Sequence, residues 1–339
     1  AAIIFVFSIL GISQIRFAHD VLKWFPEDSA IRRASETIDE KLRGSVTFEA
    51  ILDTGEENGL YEPNLLNRIE QSAHKLETLR DGDIFVGKSI AMTTILKEIN
   101  KALNENRREF YTVPQQRELV AQELLLFEMS GSDDLEDVVD SLFSQTRLTL
   151  KLPFTNAIGY TRIMSEIKQH MQQTYPDIDV TITGMAAMLF KTITNVMTSM
   201  AKSYVTALIV ITLLMILLIG RLRIGLLSMV PNLFPILLTL GVMGWFKIPM
   251  DVFSMLVGSI AIGLAVDDTI HFMHNFRRYY EETGDTKKAI MDTLHTSGRA
   301  MLVTSCVLSI GFFIFTFASM RNLFNFGFLT GFTIVVALL

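Results

Sequence analysis

Two adjacent carboxylates close an uncharged apolar run in this chain, and that placement restricts the folds open to it. No charged side chain occurs from Val252 to Val266; Asp267, Asp268 and His271 then follow before Arg277 and Arg278. If the stretch is one helix, Asp267 and Arg277 lie about 15 Å apart along its axis, at ~1.5 Å per residue. With the arginines at the water boundary, the acids fall near the middle of a ~30 Å hydrocarbon core. A charge at that depth costs about 2.5–3.5 kcal/mol on insertion scales. A fold that accepts this cost must supply a partner for the charge.

Asp267 and Asp268 are neighbours on the helix, so they point roughly 100° apart. His271 lies four residues after Asp267 and three after Asp268, within side-chain reach of either. Burial raises carboxyl pKa values, two close acids raise one further, and an imidazole pulls the other way. Such a cluster can hold one exchangeable proton, as a proton relay needs. Two other readings stay open: the acids lock helix packing through a polar partner, or this end of the helix is wet. An Asp, Asp, His set could also take a divalent metal, but the spacing matches no standard motif, and no metal is expected.

Six apolar runs are visible: 1–12, 204–219, 224–246, 252–274, 301–320 and one from about 323. The first and last are expected to be membrane helices cut short, and the chain a piece of a longer protein. Six such runs predict an α-helical membrane bundle of six spans. The loop with Arg221 and Arg223 is basic, as is the one with Arg277, Arg278, Lys287, Lys288 and Arg299; the loops between them are poor in charge. The positive-inside rule makes the basic loops cytoplasmic. Residues 13–202 are then extracytoplasmic, and 276–299 form a cytoplasmic connector with a helix suited to the interface.

Small residues mark helix-packing faces: Gly258 and Gly263 with Ala261 and Ala265, then Gly241 with Gly244, and Gly327 with Gly331. Pro231 and Pro235 predict a bend that frees backbone carbonyls in the third span. Thr304, Ser305 and Ser309 are candidate polar partners for the acids, with bonds to their own helix backbone as the alternative.

The long segment between the first two spans alternates strand and helix patterns. Strands are expected at 46–52, 84–87, 147–152 and 178–183, and helices at 63–79 and 160–175. The order is β-α-β, a mostly helical insert over about 88–142, then β-α-β. Two such units predict an α+β ferredoxin-like (split β-α-β) domain with a helical insert. A helix over 186–200 is expected to run directly into the second span. The domains are then 1–12, 13–202 and 203–339.

A net charge of −6 argues against a nucleic-acid partner. The single cysteine, Cys306, rules out an intrachain disulfide framework. No serine or cysteine nucleophile motif, phosphate loop or Cys/His zinc spacing occurs, so neither an enzyme nor a nucleotide-driven pump is expected, and no cofactor.

The stretch from Ala261 to Arg278, with Gly263, Asp267, Asp268 and His271, resembles the fourth-span motif of resistance-nodulation-division (RND) transporters. The likeness is to the hydrophobe- and lipid-exporting branch that holds MmpL, hopanoid-exporter and Patched-like proteins. The segment Val230-Pro231-Asn232-Leu-Phe-Pro235, the Gly298-Arg299-Ala300 element with Thr304-Ser305, and Leu22-Lys23-Trp24-Phe25-Pro26 are similar as well. From Ser203 onward the chain resembles a sterol-sensing domain. The resemblance implies half of a transporter, the C-terminal half by its Asp-Asp-Thr-Ile-His form. It also implies proton-motive-force-driven export of lipids or other hydrophobic molecules from a bacterial inner membrane, with residues 13–202 in the periplasm. The implied partners are the other half with its matching fourth-type span, the hydrophobic substrate and protons. The complete spans hold no Lys or Arg, so that half or a second copy would supply the group facing the acids. Competing functions are a non-transporting sterol- or lipid-sensing regulator and an accessory subunit of protein translocation.

Overall fold

A computed structural model describes residues 2–131 and 135–338. In chain order the helices are α1 (Ala2–Ile12), α2 (Ala30–Leu42), α3 (Pro63–Leu76), α4 (Met92–Leu103), α5 (Arg117–Met129), α6 (Tyr160–Thr174), α7 (Met185–Ile219), α8 (Leu222–Leu227), α9 (Met229–Trp245), α10 (Val252–Thr283), α11 (Thr286–Thr293), α12 (Arg299–Phe313) and α13 (Arg321–Leu338). The strands are β1 (Val46–Asp53), β2 (Arg80–Asp81), β3 (Ile84–Phe85), β4 (Lys88–Ile90), β5 (Gln145–Leu152) and β6 (Asp179–Thr183). The chain divides into two compact units, Asp28–Thr192 and Ala1–Glu27 with Ile193–Leu339.

Asp28–Thr192 is built on a four-stranded antiparallel sheet in the order β4-β5-β1-β6. Period-2 alternation sets the register: Phe48 pairs with Leu150 and Ala50 with Leu148, and all four are buried. Helices α3 and α6 contribute Leu66, Ile69 and Leu76, and Tyr160, Ile163, Ile167 and Met171, to the same core. Each such side chain is worth roughly 1.5–3 kcal/mol when fully buried. Tyr160 stacks on Phe190 at 4.0 Å and meets Phe48 edge-on at 5.6 Å, tying α6 and the start of α7 to β1.

The second strand of this sheet differs from the expectation. Residues 84 and 85 do form a strand, but it pairs with Arg80–Asp81 in a separate hairpin. The sheet's edge is instead Lys88–Ile90, inside the stretch read as insert. A tertiary contact fixes it: the Ser89 N–H and hydroxyl both donate to Glu77 Oε1, at 2.8 and 2.7 Å, at the end of α3. The insert therefore begins after Ile90, with α4 and α5. Lys97 of α4 pairs with Glu70 of α3, and Thr93 donates to the same carboxylate at 2.8 Å. On α5, Glu123 is 2% exposed and its Oε2 has no hydrogen-bond partner among the described residues.

The other unit is helical. Among the described residues, five segments are long and apolar enough to cross a membrane: Met185–Ile219, Leu222–Trp245, Val252–Thr283, Thr286–Phe317 and Arg321–Leu338. Helix α1, at eleven residues, is shorter than a span. It packs along α9 through glycine. A Cβ on Gly241 would sit 2.6 Å from Ser8 Cα, and one on Gly244 would overlap the Gly11 carbonyl. Phe7 stacks on Trp245 at 4.7 Å, and Trp245 Nε1–H donates to the Phe7 carbonyl at 3.0 Å. Gly327 and Gly331 of α13 meet Phe312, Phe313 and Phe315 in the same manner. Thr239 and Thr333 share a hydrogen bond at 2.7 Å between α9 and α13.

Helix α7 is unbroken from Met185 to Ile219, and α9 continues through Pro235. Thr239 Oγ1 donates to the Pro235 carbonyl at 2.9 Å. Helix α10 runs beyond the expected end near residue 274, to Thr283, so the first part of the connector 276–299 continues it. Gly284, with φ of 67°, closes the helix, and Asp285 caps α11 by accepting from the Lys287 N–H at 2.8 Å. A π-turn at Leu294–Gly298 leads into α12.

Two outcomes follow. Gly244→Val should lower the thermal midpoint of the detergent-solubilised protein, with a loss of about 1–3 kcal/mol typical of overpacking; Gly311→Ala on α12, which meets nothing within 4 Å, should not. Burial pushes the Glu123 carboxyl up to about 7 from an ordinary 4.5. The packed state thus favours the protonated acid, and protection of α5 should fall as pH rises from about 4.5 to 7, then level off. Hydrogen exchange over Arg117–Met129, corrected for intrinsic rates, should show that loss in the native chain and a flat profile in Glu123→Gln.

Candidate functional site

Helix α10 carries the acids, and its two sides differ. Met255, Val257, Ala261, Ile262 and Ala265 are buried, whereas Ser259, Gly263, Asp267 and His271 form an exposed stripe at helical spacing. The helix starts firmly: Asp251 Oδ1 accepts from the Ser254 N–H at 2.8 Å, and Ser254 Oγ accepts from the Asp251 N–H at 2.7 Å. Small and aliphatic residues let it lie against α13 and α9.

Asp267 and His271 meet on the open side. Asp267 Oδ1 lies 3.5 Å from His271 Nε2, and the two side chains are 68% and 65% exposed. Asp268 is partly covered and makes no ion pair or hydrogen bond among the described residues. The acids therefore occupy different environments although they are adjacent.

Polar clasps lie on either side of them. Thr269 Oγ1 donates to Asn232 Oδ1 at 2.5 Å, joining α10 to α9 one residue past the acid pair. Asn232 is 2% exposed and sits between Pro231 and Pro235. One turn after His271, Asn275 Nδ2 donates to Ser297 Oγ at 2.6 Å and to the His271 carbonyl at 3.3 Å, tying α10 to the π-turn before α12. Neither Asn232 nor Asn275 was singled out as a site residue from sequence. The signal for Asn232 was present, as an amide between two prolines in an apolar run; its partner was not.

The other candidate partners stay away from the acids. Thr304 Oγ1 bonds its own helix, at the Ala300 and Met301 carbonyls, 3.1 and 3.0 Å away. Ser305 and Ser309 are buried on one face of α12, and Ser309 Oγ has no hydrogen-bond partner among the described residues. No described hydroxyl of the three reaches Asp267 or Asp268. Gly258 meets the Tyr204 ring at an ordinary 3.7 Å, and Tyr204 donates its hydroxyl to the Met255 carbonyl, linking α7 to α10. Gly263 has open space where packing was expected; the close approaches fall at Gly11, Gly241, Gly244, Gly327 and Gly331 instead. Among the described residues, no three His, Cys, Asp or Glu side chains are placed to hold a metal ion.

The helices that build this arrangement fall within a segment similar to known proteins. A relative from Methanocaldococcus jannaschii, named as a membrane protein, is 24% identical over 212 residues, which are 58% of this chain and 54% of that protein. The chain thus spans about half the length of that relative. Residues 155–339, more than half of the chain and inclusive of all five candidate spans and the acid pair, match the MMPL family, and the chain belongs to that family.

Proposed function

We propose that this chain is half of a secondary transporter that exports lipids or other hydrophobic molecules, driven by protons that Asp267, Asp268 and His271 relay. The observation that carries the reading is the open stripe on α10. A carboxylate facing lipid from within an apolar span is unfavourable by several kcal/mol. The stripe Ser259, Gly263, Asp267, His271 is small or polar throughout, so it suits a protein surface that approaches closely and answers the charge. A matching helix from a second half, or from a second copy of this chain, fits that description. Family membership supports a transporter, and a relative about twice the length of the matched region leaves room for further segments.

Asp267 and His271 exchange a proton across 3.5 Å, while the differently placed Asp268 holds or releases the next. Each protonation changes the charge on a helix held by clasps at Asn232 and Asn275, and so biases its packing against neighbours. Loop charge supports residues 13–202 lying outside the cytoplasmic membrane. The sheet order, with α3 and α6 as crossovers, supports a split β-α-β sandwich in that outer part.

Asp→Asn keeps the shape and removes the exchangeable proton. In proteoliposomes of the full-length protein, at least one of Asp267→Asn and Asp268→Asn should lower gradient-driven export of a hydrophobic cargo by about 100-fold or more, the scale of lost proton transfer. Expression and folding should stay near normal. His271→Ala should shift the pH dependence of export rather than end it. Full proton-driven export by the double Asn variant would reject the relay and leave the acids as a packing element.

A further inference from the structure

The segment that follows α1 turns back onto the loop before α10. Phe17 forms a parallel β-bridge with Met250; the Met250 N–H donates to the Arg16 carbonyl at 2.8 Å, and the Ala18 N–H to the Met250 carbonyl at 3.2 Å. The next residue, His19, is only 5% exposed. Its ring meets Trp24 edge-on at 4.9 Å, and Trp24 meets Phe253, in the first turn of α10, edge-on at 5.3 Å. Asp251, the cap of α10, is buried as well, and its Oδ1 accepts from both the N–H and the hydroxyl of Ser254, at 2.8 and 2.9 Å.

The geometry points to a second proton-binding site in this chain: His19, enclosed with Trp24, Phe253 and Asp251, is a proton-operated latch on the N-terminal end of the helix that bears Asp267. A neutral imidazole sits beside the Trp24 ring without bringing a charge into the enclosure. A protonated one brings a charge into a place with little water. Burial lowers the His19 pKa below the ordinary 6.5, while the charges of Asp251 and Asp20 pull it back up. Asp20 itself pairs with Lys23 at 3.0 Å. The remaining charged groups on the elements around this cluster are Arg16, Glu27, Lys247 and, on α13, Arg321.

The sign follows from linkage. The closed latch binds the proton more weakly than an imidazole in water, so acid favours the open latch. The opening equilibrium rises as pH falls below about 6.5, by up to tenfold per pH unit, and levels off below the closed-state pKa. The coupling to α10 runs through Asp251. An imidazolium competes with Ser254 for the carboxylate that caps the helix, so protonation is felt in its first turn. The latch rests on this loop's geometry alone and stands whether or not the acid pair carries protons.

Tryptophan emission reads it directly, in detergent and without a gradient. The chain has two tryptophans, and Trp245→Phe leaves Trp24 as sole reporter. Between about pH 8 and about pH 5, Trp24 emission should shift to the red with a midpoint below 6.5, as the ring gains water. His19→Gln in that background should abolish the transition. Asp251→Asn, which keeps a good helix cap, removes one attraction for the proton in the closed latch, so acid should open the latch at least as readily and the midpoint should not fall. A pH-invariant emission, the same transition in His19→Gln, or a lowered midpoint in Asp251→Asn would overturn the latch. Loss of export in Asp267→Asn with the Trp24 transition intact would leave it standing beside the relay, and failure of the relay alone would not touch it.

Discussion

Asp267 lies in an apolar helix, 68% exposed, with one imidazole 3.5 Å away and no cation within reach among the described residues. In water this would be an ordinary surface carboxylate. In hydrocarbon a carboxylate placed in this way is costly. The opposite side of α10 is already committed. Ala261, Ile262 and Ala265 are buried there, and Thr269 is held by Asn232. Rotating the helix to hide Asp267 would break these contacts, and the relief proposed for the charge is a surface from a second half or a second copy of this chain.

The rest of the helical unit is organised to hold α10 in that orientation. Close glycine contacts fix α1 on α9, and Thr239 with Thr333 fixes α9 to α13. Helix α10 is capped at its own start by Asp251 and Ser254, and Asn275, one turn beyond His271, ties it to Ser297. These are short-range interactions, each worth on the order of 1 kcal/mol, and what they set is direction more than stability. Around the acids, α10 is tied to its neighbours through Thr269 with Asn232 and through Asn275 with Ser297.

Local patterns made much of this legible in the sequence. Leu148, Leu150 and Leu152 alternate as an inward strand face must, and Ile163, Ile167 and Met171 recur as a helix stripe must. The uncharged run before Asp267 announced the helix, and its spacing put Asp267 and His271 on one side. What could not be read depended on distant partners. Lys88–Ile90 is a sheet edge because Glu77 holds Ser89, which no three-residue pattern discloses. Asn232 meets Thr269 only through the relative register of two spans. The glycines of α9 signalled close packing but not that Gly11 and Ser8 would be the surface met. Gly263 carried the same signal and has no neighbour within 4 Å among the described residues.

A spin label reads whether a protein surface lies against the acid-bearing side of α10. Nitroxides placed singly at Ser259 and Gly263 of the full-length protein in bilayers report contact with lipid through their accessibility to dissolved oxygen. A label at Val210, exposed on α7, gives the lipid-facing reference. With the proposed protein surface on the acid-bearing side of α10, oxygen accessibility at Ser259 and Gly263 should be low, well under that of Val210. Accessibility at both positions equal to that of Val210 would place Asp267 against lipid and contradict it.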